Sequence, residues 1–363
     1  NFYDDGTPFN SGFKQLVSST RIIVNYALGA SILNKPEYKA VAQHGLDYLE
    51  NVHWQNEQQA YAWTLQDHQP QDMTQQAYGY AFVLLAYSAC LRAGVIKSAD
   101  KIHQTYDLLE SRFWQAEHGL YADTLSLNGK LDGYRGQNAN MHICEAMIAA
   151  FEATQEKRFL NRATTIAQNI CIRQANLSNG LVWEHFTENF SPDWQYNKHD
   201  PKNLYRPWGF QPGHQTEWAK LLLQINRHTQ SQWLIKKAEE LHSRAFEKAW
   251  DHEHGGLIYG FDLEGEWCDT DKYFWVQAET FAAAALLYQT TGEPEYLNQY
   301  QQLWNYAWAH FVDHQHGAWY RVLDIKNDHY SNEKSAAGAK CDYHTLGACF
   351  EVIRALDENQ SMV

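Results

Sequence analysis

The segment His254-Gly255-Gly256-Leu257-Ile258-Tyr259 decides the fold, because it is one copy of a motif that returns along the chain. Other copies are Glu117-His118-Gly119-Leu120-Tyr121, Asn179-Gly180-Leu181-Val182-Trp183 and His316-Gly317-Ala318-Trp319-Tyr320. A degenerate first copy is Glu57-Gln58-Gln59-Ala60-Tyr61-Ala62-Trp63. Gly119, Gly180, Gly256 and Gly317 are spaced by 61, 76 and 61 residues. Regular spacing of this kind signals a repeated supersecondary unit. Each copy reads as a tight turn leading into a short strand-like segment, with the glycine supplying a positive φ that other residues resist.

Helical periodicity fills the intervals between the copies. The stretches near residues 36–53, 98–115, 157–172, 230–250 and 294–312 carry one apolar and one charged face, the pattern of outer helices. Leu16, Ile22, Ile23, Tyr26 and Leu28 form an apolar stripe, and Tyr80 to Tyr87 is apolar nearly all round, as buried helices are. The unit is therefore an outer helix, a glycine turn and an inner helix. About eleven helices are legible by period, and a twelfth before Asn1 would complete six hairpins. Six hairpins closing on themselves give an all-α (α/α)6 barrel with short β segments in the connecting loops, expected as a single domain over residues 1–363. A linear helical solenoid is the rival, but solenoids repeat at shorter intervals.

Composition removes several function classes. The 363 residues carry a net charge of −14, which argues against binding a phosphate backbone and hence against a nucleic-acid partner. No run of about 18 apolar residues suggests a membrane span. The opening Asn1-Phe2-Tyr3-Asp4-Asp5 lacks the pattern of a signal peptide, so a cytoplasmic location is expected. Cys90, Cys144, Cys171, Cys268, Cys341 and Cys349 contain no Cys-x-x-Cys spacing, and several sit in apolar runs as small buried hydrophobes. The aromatic share of 14% suits stacking on sugars as well as core filling.

Five constellations fall at inner-helix starts. Gln211-Pro212-Gly213-His214-Gln215-Thr216-Glu217-Trp218 opens a helix and puts His214 and Glu217 on one face of its first turn. Arg135-Gly136-Gln137-Asn138-Ala139-Asn140-Met141-His142-Ile143-Cys144-Glu145 repeats that His-x-x-Glu order, with Asn138 and Asn140 leading an apolar run. The plain account of Asn140 is a helix cap, and that of Glu217 a favourable dipole contact. Cys341-Asp342-Tyr343-His344-Thr345 places a third histidine at an equivalent helix start, so three imidazoles would converge at one barrel end. Arg21, within the run Leu16 to Leu28, needs a ligand or a buried carboxylate partner. In Tyr273-Phe274-Trp275-Val276-Gln277-Ala278-Glu279, Trp275 and Glu279 share a face. Helix-bundle metal sites use the order Glu-x-x-His, the reverse of this one, so no metal ligand set is assigned.

At these residues the chain resembles the N-acylglucosamine 2-epimerase superfamily, from about residue 6 to residue 355. The resemblance is carried by Ser-Thr-Arg21, Asn-Ala-Asn-Met-His142, Pro-Gly-His214-x-x-Glu217 and the late His344. It implies an (α/α)6 barrel acting on a monosaccharide without a metal or other cofactor, with a homo-oligomer as one state of assembly. Trp218 after Glu217 and the run Arg-Gly-Gln-Asn-Ala-Asn-Met-His resemble the aldose–ketose isomerase branch. The expected reaction interconverts D-mannose and D-fructose, or D-lyxose and D-xylulose, through an enediol. A 2-epimerase, a sulfoquinovose isomerase and a glycoside hydrolase on the same barrel are the alternatives. His344 and His214 are the expected proton carriers, in either order, because imidazole exchanges protons near neutral pH. Glu217 would orient His214 or contact hydroxyls, and Arg21 would stabilise the enediolate oxygens. Tyr78, Asn138, Asn140, His142, Trp275 and Glu279 would hold the sugar.

Overall fold

The fold is described from a computed structural model covering residues 2–33, 35–332, 334 and 341–360. Among these residues eleven α-helices follow in order: α1 (Leu16–Leu33), α2 (Pro36–Tyr48), α3 (Ala77–Arg92), α4 (Asp100–Arg112), α5 (Gln137–Thr154), α6 (Lys157–Gln168), α7 (Pro212–Thr229), α8 (Gln232–Ala249), α9 (Phe274–Thr291), α10 (Pro294–His310) and α11 (Tyr343–Gln360). The odd-numbered helices form the inner ring. α1 packs on α3, α3 on α5, α5 on α7, α7 on α9, α9 on α11, and α11 returns to α1. That closure is the difference from a linear solenoid, whose ends never meet. The even-numbered helices pack outside, α2 on α1, α4 on α3, α6 on α5, α8 on α7 and α10 on α9. The twelfth helix placed before Asn1 by the repeat lies outside the described residues.

Inner and outer helices differ as burial requires. In α3 every residue from Gly79 to Cys90 is buried, whereas α4 buries only Ile102, Thr105 and Leu109. α1 is long and apolar enough to reach across a bilayer, yet it carries Arg21 and is packed into the ring against α2, α3 and α11.

The glycine turns behave as their sequence implies. Gly119, Gly180, Gly255, Gly256 and Gly317 all have φ between +62° and +85°, and in the degenerate copy Gln59 takes φ +49°. After the turns, short antiparallel pairs such as Trp54–Gln55 with Ala60–Tyr61, and Trp114–Gln115 with Leu120–Tyr121, close each loop. A second set of pairs stitches neighbouring repeats together: Gln75–Gln76 with Thr124–Leu125, Arg135–Gly136 with His185–Phe186, and Lys272–Tyr273 with Val322–Leu323. Each of these pairs uses the residues just before an inner helix. The strand segments therefore fix the starts of the inner helices at one end of the ring, where the sequence placed its histidines.

Candidate active site

Because an α-helix repeats every 3.6 residues, positions i, i+4 and i+7 share a face. Counted from its start, the second, sixth and ninth residues of each inner helix face the ring axis. The second-residue layer is Val17, Tyr78, Asn138, Gly213, Trp275 and His344; the sixth-residue layer is Arg21, Phe82, His142, Glu217, Glu279 and Ala348. Nearly all the sequence-derived candidates fall in these two layers. Gly213 leaves room for its neighbour: a Cβ there would lie 2.5 Å from the Trp275 ring.

His344 sits against Glu279, with Nδ1 2.7 Å from Oε1. Lys220, the ninth residue of α7, reaches the other oxygen of Glu279 at 2.5 Å. The ion pair with Lys220 keeps Glu279 a carboxylate and Oε1 accepts from the imidazole, so His344 carries its proton on Nδ1 and leaves the Nε2 lone pair free. Burial, reinforced by the positive charges of Arg21 and Lys220, holds His344 well below the ordinary histidine range. It is neutral, as a base must be.

His214 also lies against Trp275. The indole is 5.0 Å from the His214 ring and 5.6 Å from the His344 ring, centroid to centroid. The sequence offers Glu217 either to orient His214 or to contact sugar hydroxyls. The contact with His214 is made by Glu184, whose Oε2 accepts from His214 Nδ1 at 2.9 Å. Glu184 is itself held by Gln137 Nε2 at 2.9 Å, and Gln137 Oε1 accepts from Trp218 Nε1 at 2.7 Å. The available signal for Glu184 was its place in Leu181-Val182-Trp183-Glu184, between a glycine turn and the strand His185–Phe186 that pairs with the residues before an inner helix.

Glu217 is fully buried with neither oxygen hydrogen-bonded; His142 Nδ1 lies 3.9 Å away. Burial, with the charge of Glu279 adding to it, pushes its carboxyl well above the ordinary value. Glu145 behaves oppositely. Burial alone would raise it, but the hydrogen bond from His142 at 2.9 Å and the charge of Lys220 hold it down at about 2. A neutral Glu217 balances the cluster, leaving Arg21 and Lys220 opposite Glu145 and Glu279. A third buried negative charge would lack compensation.

Arg21 is held by the Tyr78 hydroxyl at 2.9 Å and lies over the rings of Phe82 and Tyr343, at 4.3 and 4.8 Å. Tyr78 also meets His142 edge-on at 5.0 Å. Asn138 faces the same space with its Oδ1 buried and unbonded. Asn140 does not join them. Its Oδ1 accepts from Tyr121 N–H at 2.9 Å, and its Nδ2 donates to Tyr121 O at 3.0 Å and Gly136 O at 3.2 Å. Fully buried, it has no donor left for a sugar. Gln215 clamps Val182, and Gln277 clamps Leu257, in the same two-bond manner. All three are fourth residues of their helices, so Asn140 belongs to the repeat.

The triads His142–Glu145–Glu217 and Glu217–Glu279–His344 each bring potential metal-ligand atoms within 4.8 Å. The Nδ1 atoms of both histidines are spent on carboxylates, and the Lys220 ammonium occupies Glu279. With Arg21 also at hand, this environment favours a neutral polyol over a divalent cation.

The family model described as N-acylglucosamine 2-epimerase matches residues 1–348. The chain belongs to this family. Within it, a D-mannose isomerase of Marinomonas mediterranea is 52% identical over 98% of this chain and 90% of its own length. A crystal structure of a D-mannose isomerase superposes with a TM-score of 0.95 at 51% identity, covering 97% of this chain and 90% of that one. A cellobiose 2-epimerase of Bacteroides fragilis is 24% identical over 94% of this chain and 87% of its own. The N-acylglucosamine 2-epimerase family thus spans the two outcomes, isomerisation and epimerisation, that a shared enediol permits.

Proposed function

We propose that the chain is an aldose–ketose isomerase interconverting D-mannose and D-fructose without a metal. The observation that carries this reading is the pair His344 and His214, both packed against one indole, each with Nδ1 fixed by a carboxylate. The 52% identity to a protein named D-mannose isomerase supports the choice of sugar. In the proposed reaction His344 Nε2 removes the C2 proton of the open-chain aldose. The C–H electrons form the C1=C2 bond, and charge develops on O1 beside Arg21. His214 supplies a proton to O1 and removes the one on O2. His344 then returns its proton to C1, giving the ketose. The two histidines can exchange roles without altering the balance. Glu217, as a neutral acid, offers a donor to a sugar hydroxyl, and Trp275 offers a stacking face.

The test is incubation of pure protein, in excess chelator, with mannose, fructose, N-acetylglucosamine and cellobiose. The expected result is a mannose–fructose equilibrium, with deuterium entering C2 of mannose formed from fructose in heavy water to the extent that the proton held on His344 exchanges with solvent, the remainder being the substrate's own hydrogen. A 2-epimer formed without ketose would replace the reading with an epimerase, and loss of turnover on chelation would remove its metal-free part.

A further inference from the structure

Lys220 belongs to the buried cluster, yet the proton transfer proposed for the two histidines does not use it. It is nearly inaccessible, and its partner Glu279 is the residue that holds His344. A buried lysine–carboxylate pair gains little net stability over an apolar pair, so packing alone is a poor reason for it. We infer that Lys220 is a positioning residue: its ammonium keeps Glu279 an anionic acceptor, and so fixes the Nδ1–H tautomer of His344 with Nε2 free. This rests on the isomerase reading for its catalytic meaning, but its structural content stands separately.

The groups facing Glu279 decide the sign. From α7 come Lys220 and Glu217, from α11 His344 and Tyr343, from α5 His142 and Glu145, from α1 Arg21, and from α3 Tyr78. Burial raises the Glu279 carboxyl and Glu145 raises it further; Lys220 is the largest opposing influence. Without Lys220, Glu279 takes up a proton and can donate it to His344 Nδ1. The imidazole then shifts to the Nε2–H tautomer and cannot accept from carbon. Loss of the lysine's charge also makes His344 itself easier to protonate. Both effects disable the base at the acid side of the working range, and both are relieved as pH rises. Lys220 also borders a cavity of about 250 Å³ running between the inner helices toward Gln224, Glu152 and Arg92. That space gives a longer cation room.

The experiment uses the full chain and ¹⁵N-histidine NMR of the unliganded protein, alongside pH profiles of kcat/KM. The wild type should show His344 as neutral Nδ1–H, and the Lys220 side chain as an ammonium, across the active range. In K220M the His344 signals should move toward Nε2–H or imidazolium. The acid limb of kcat/KM should rise by about one pH unit or more, a tenfold loss at a fixed pH on that limb, with KM changing less than kcat. K220R should restore both. Removing both charges in K220M/E279Q should restore the Nδ1–H tautomer, because the oxygen of the introduced carboxamide can accept it. A folded K220M with unmoved His344 signals and acid limb would overturn the inference. So would a neutral Lys220 in the wild type, a result independent of whether K220M folds. Absence of mannose–fructose turnover by the wild type would instead sink the isomerase reading, and the NMR would still decide the role of Lys220.

Discussion

Asn140 can be assigned to the fold or to the sugar by one substitution, because the two roles move different observables. Asn140→Ala removes three hydrogen bonds, two of them to Tyr121 N–H and C=O. Tyr121 is fully buried and no solvent replaces the lost partner. Each stranded polar group costs about 1–3 kcal/mol, so the variant should lose about 4 kcal/mol of stability. With an unfolding entropy of about 2 cal/mol/K per residue, a chain of this length should fall in Tm by about 5 °C. KM for the sugar should stay near that of the wild type wherever the variant is folded. Differential scanning calorimetry and steady-state kinetics on the same preparation measure both. Gln215→Ala and Gln277→Ala, which break equivalent clamps, should lower Tm comparably. An Asn140→Ala variant with unchanged Tm and a strongly raised KM would refute the clamp and return Asn140 to the sugar site.

Glu184→Gln should lower kcat by about 10²–10⁴-fold, the usual worth of a positioned proton-transfer group, because the amide cannot stabilise a His214 imidazolium; near-wild-type turnover would show that Glu184 only packs. Stability should fall with acid, measured by Tm between pH 7 and 4. Burial lowers His53 and His242 to about 4 from the ordinary 6.5, so the unfolded chain takes up their protons first and stability is lost as pH falls from 6.5 to about 4. By linkage each contributes about 3 kcal/mol over that window, and His242→Gln should flatten the slope.

How much of this was legible in the sequence follows from how local each signal is. The glycine turns were visible because a positive φ is a property of one residue, and Gly119, Gly180, Gly256 and Gly317 adopt it. Arg21, His142, Glu217, Glu279 and His344 were found because each breaks an apolar helix start, and equivalent helix starts share one end of a ring. Direction within a turn of helix was harder. Asn138 and Asn140 are two residues apart, hence about 200° apart around the axis, and only the first faces the cavity. Comparing Asn140 with Gln215 and Gln277, three amides at the same repeat position, would have shown this from sequence. Glu184 and Lys220 were missed for other reasons: the contact of Glu184 with His214 is made across 30 residues, most of them irregular loop, and a lysine in an apolar helix reads as a snorkelling surface residue.

The layer below the histidines explains why that lysine matters. A ring of six helices offers six inward positions per layer, and here the sixth-residue layer gathers Arg21, His142, Glu217 and Glu279 away from water. Charges so placed are not settled one by one, since each sets the protonation of the next. Glu145 ionises because His142 and Lys220 face it; Glu217, with neither oxygen hydrogen-bonded, stays neutral. His344 is left a neutral base because the cations around it make its own protonation costly. The lysine that makes Glu279 an acceptor therefore also makes His344 a base, and the site's chemistry belongs to the cluster before it belongs to either histidine.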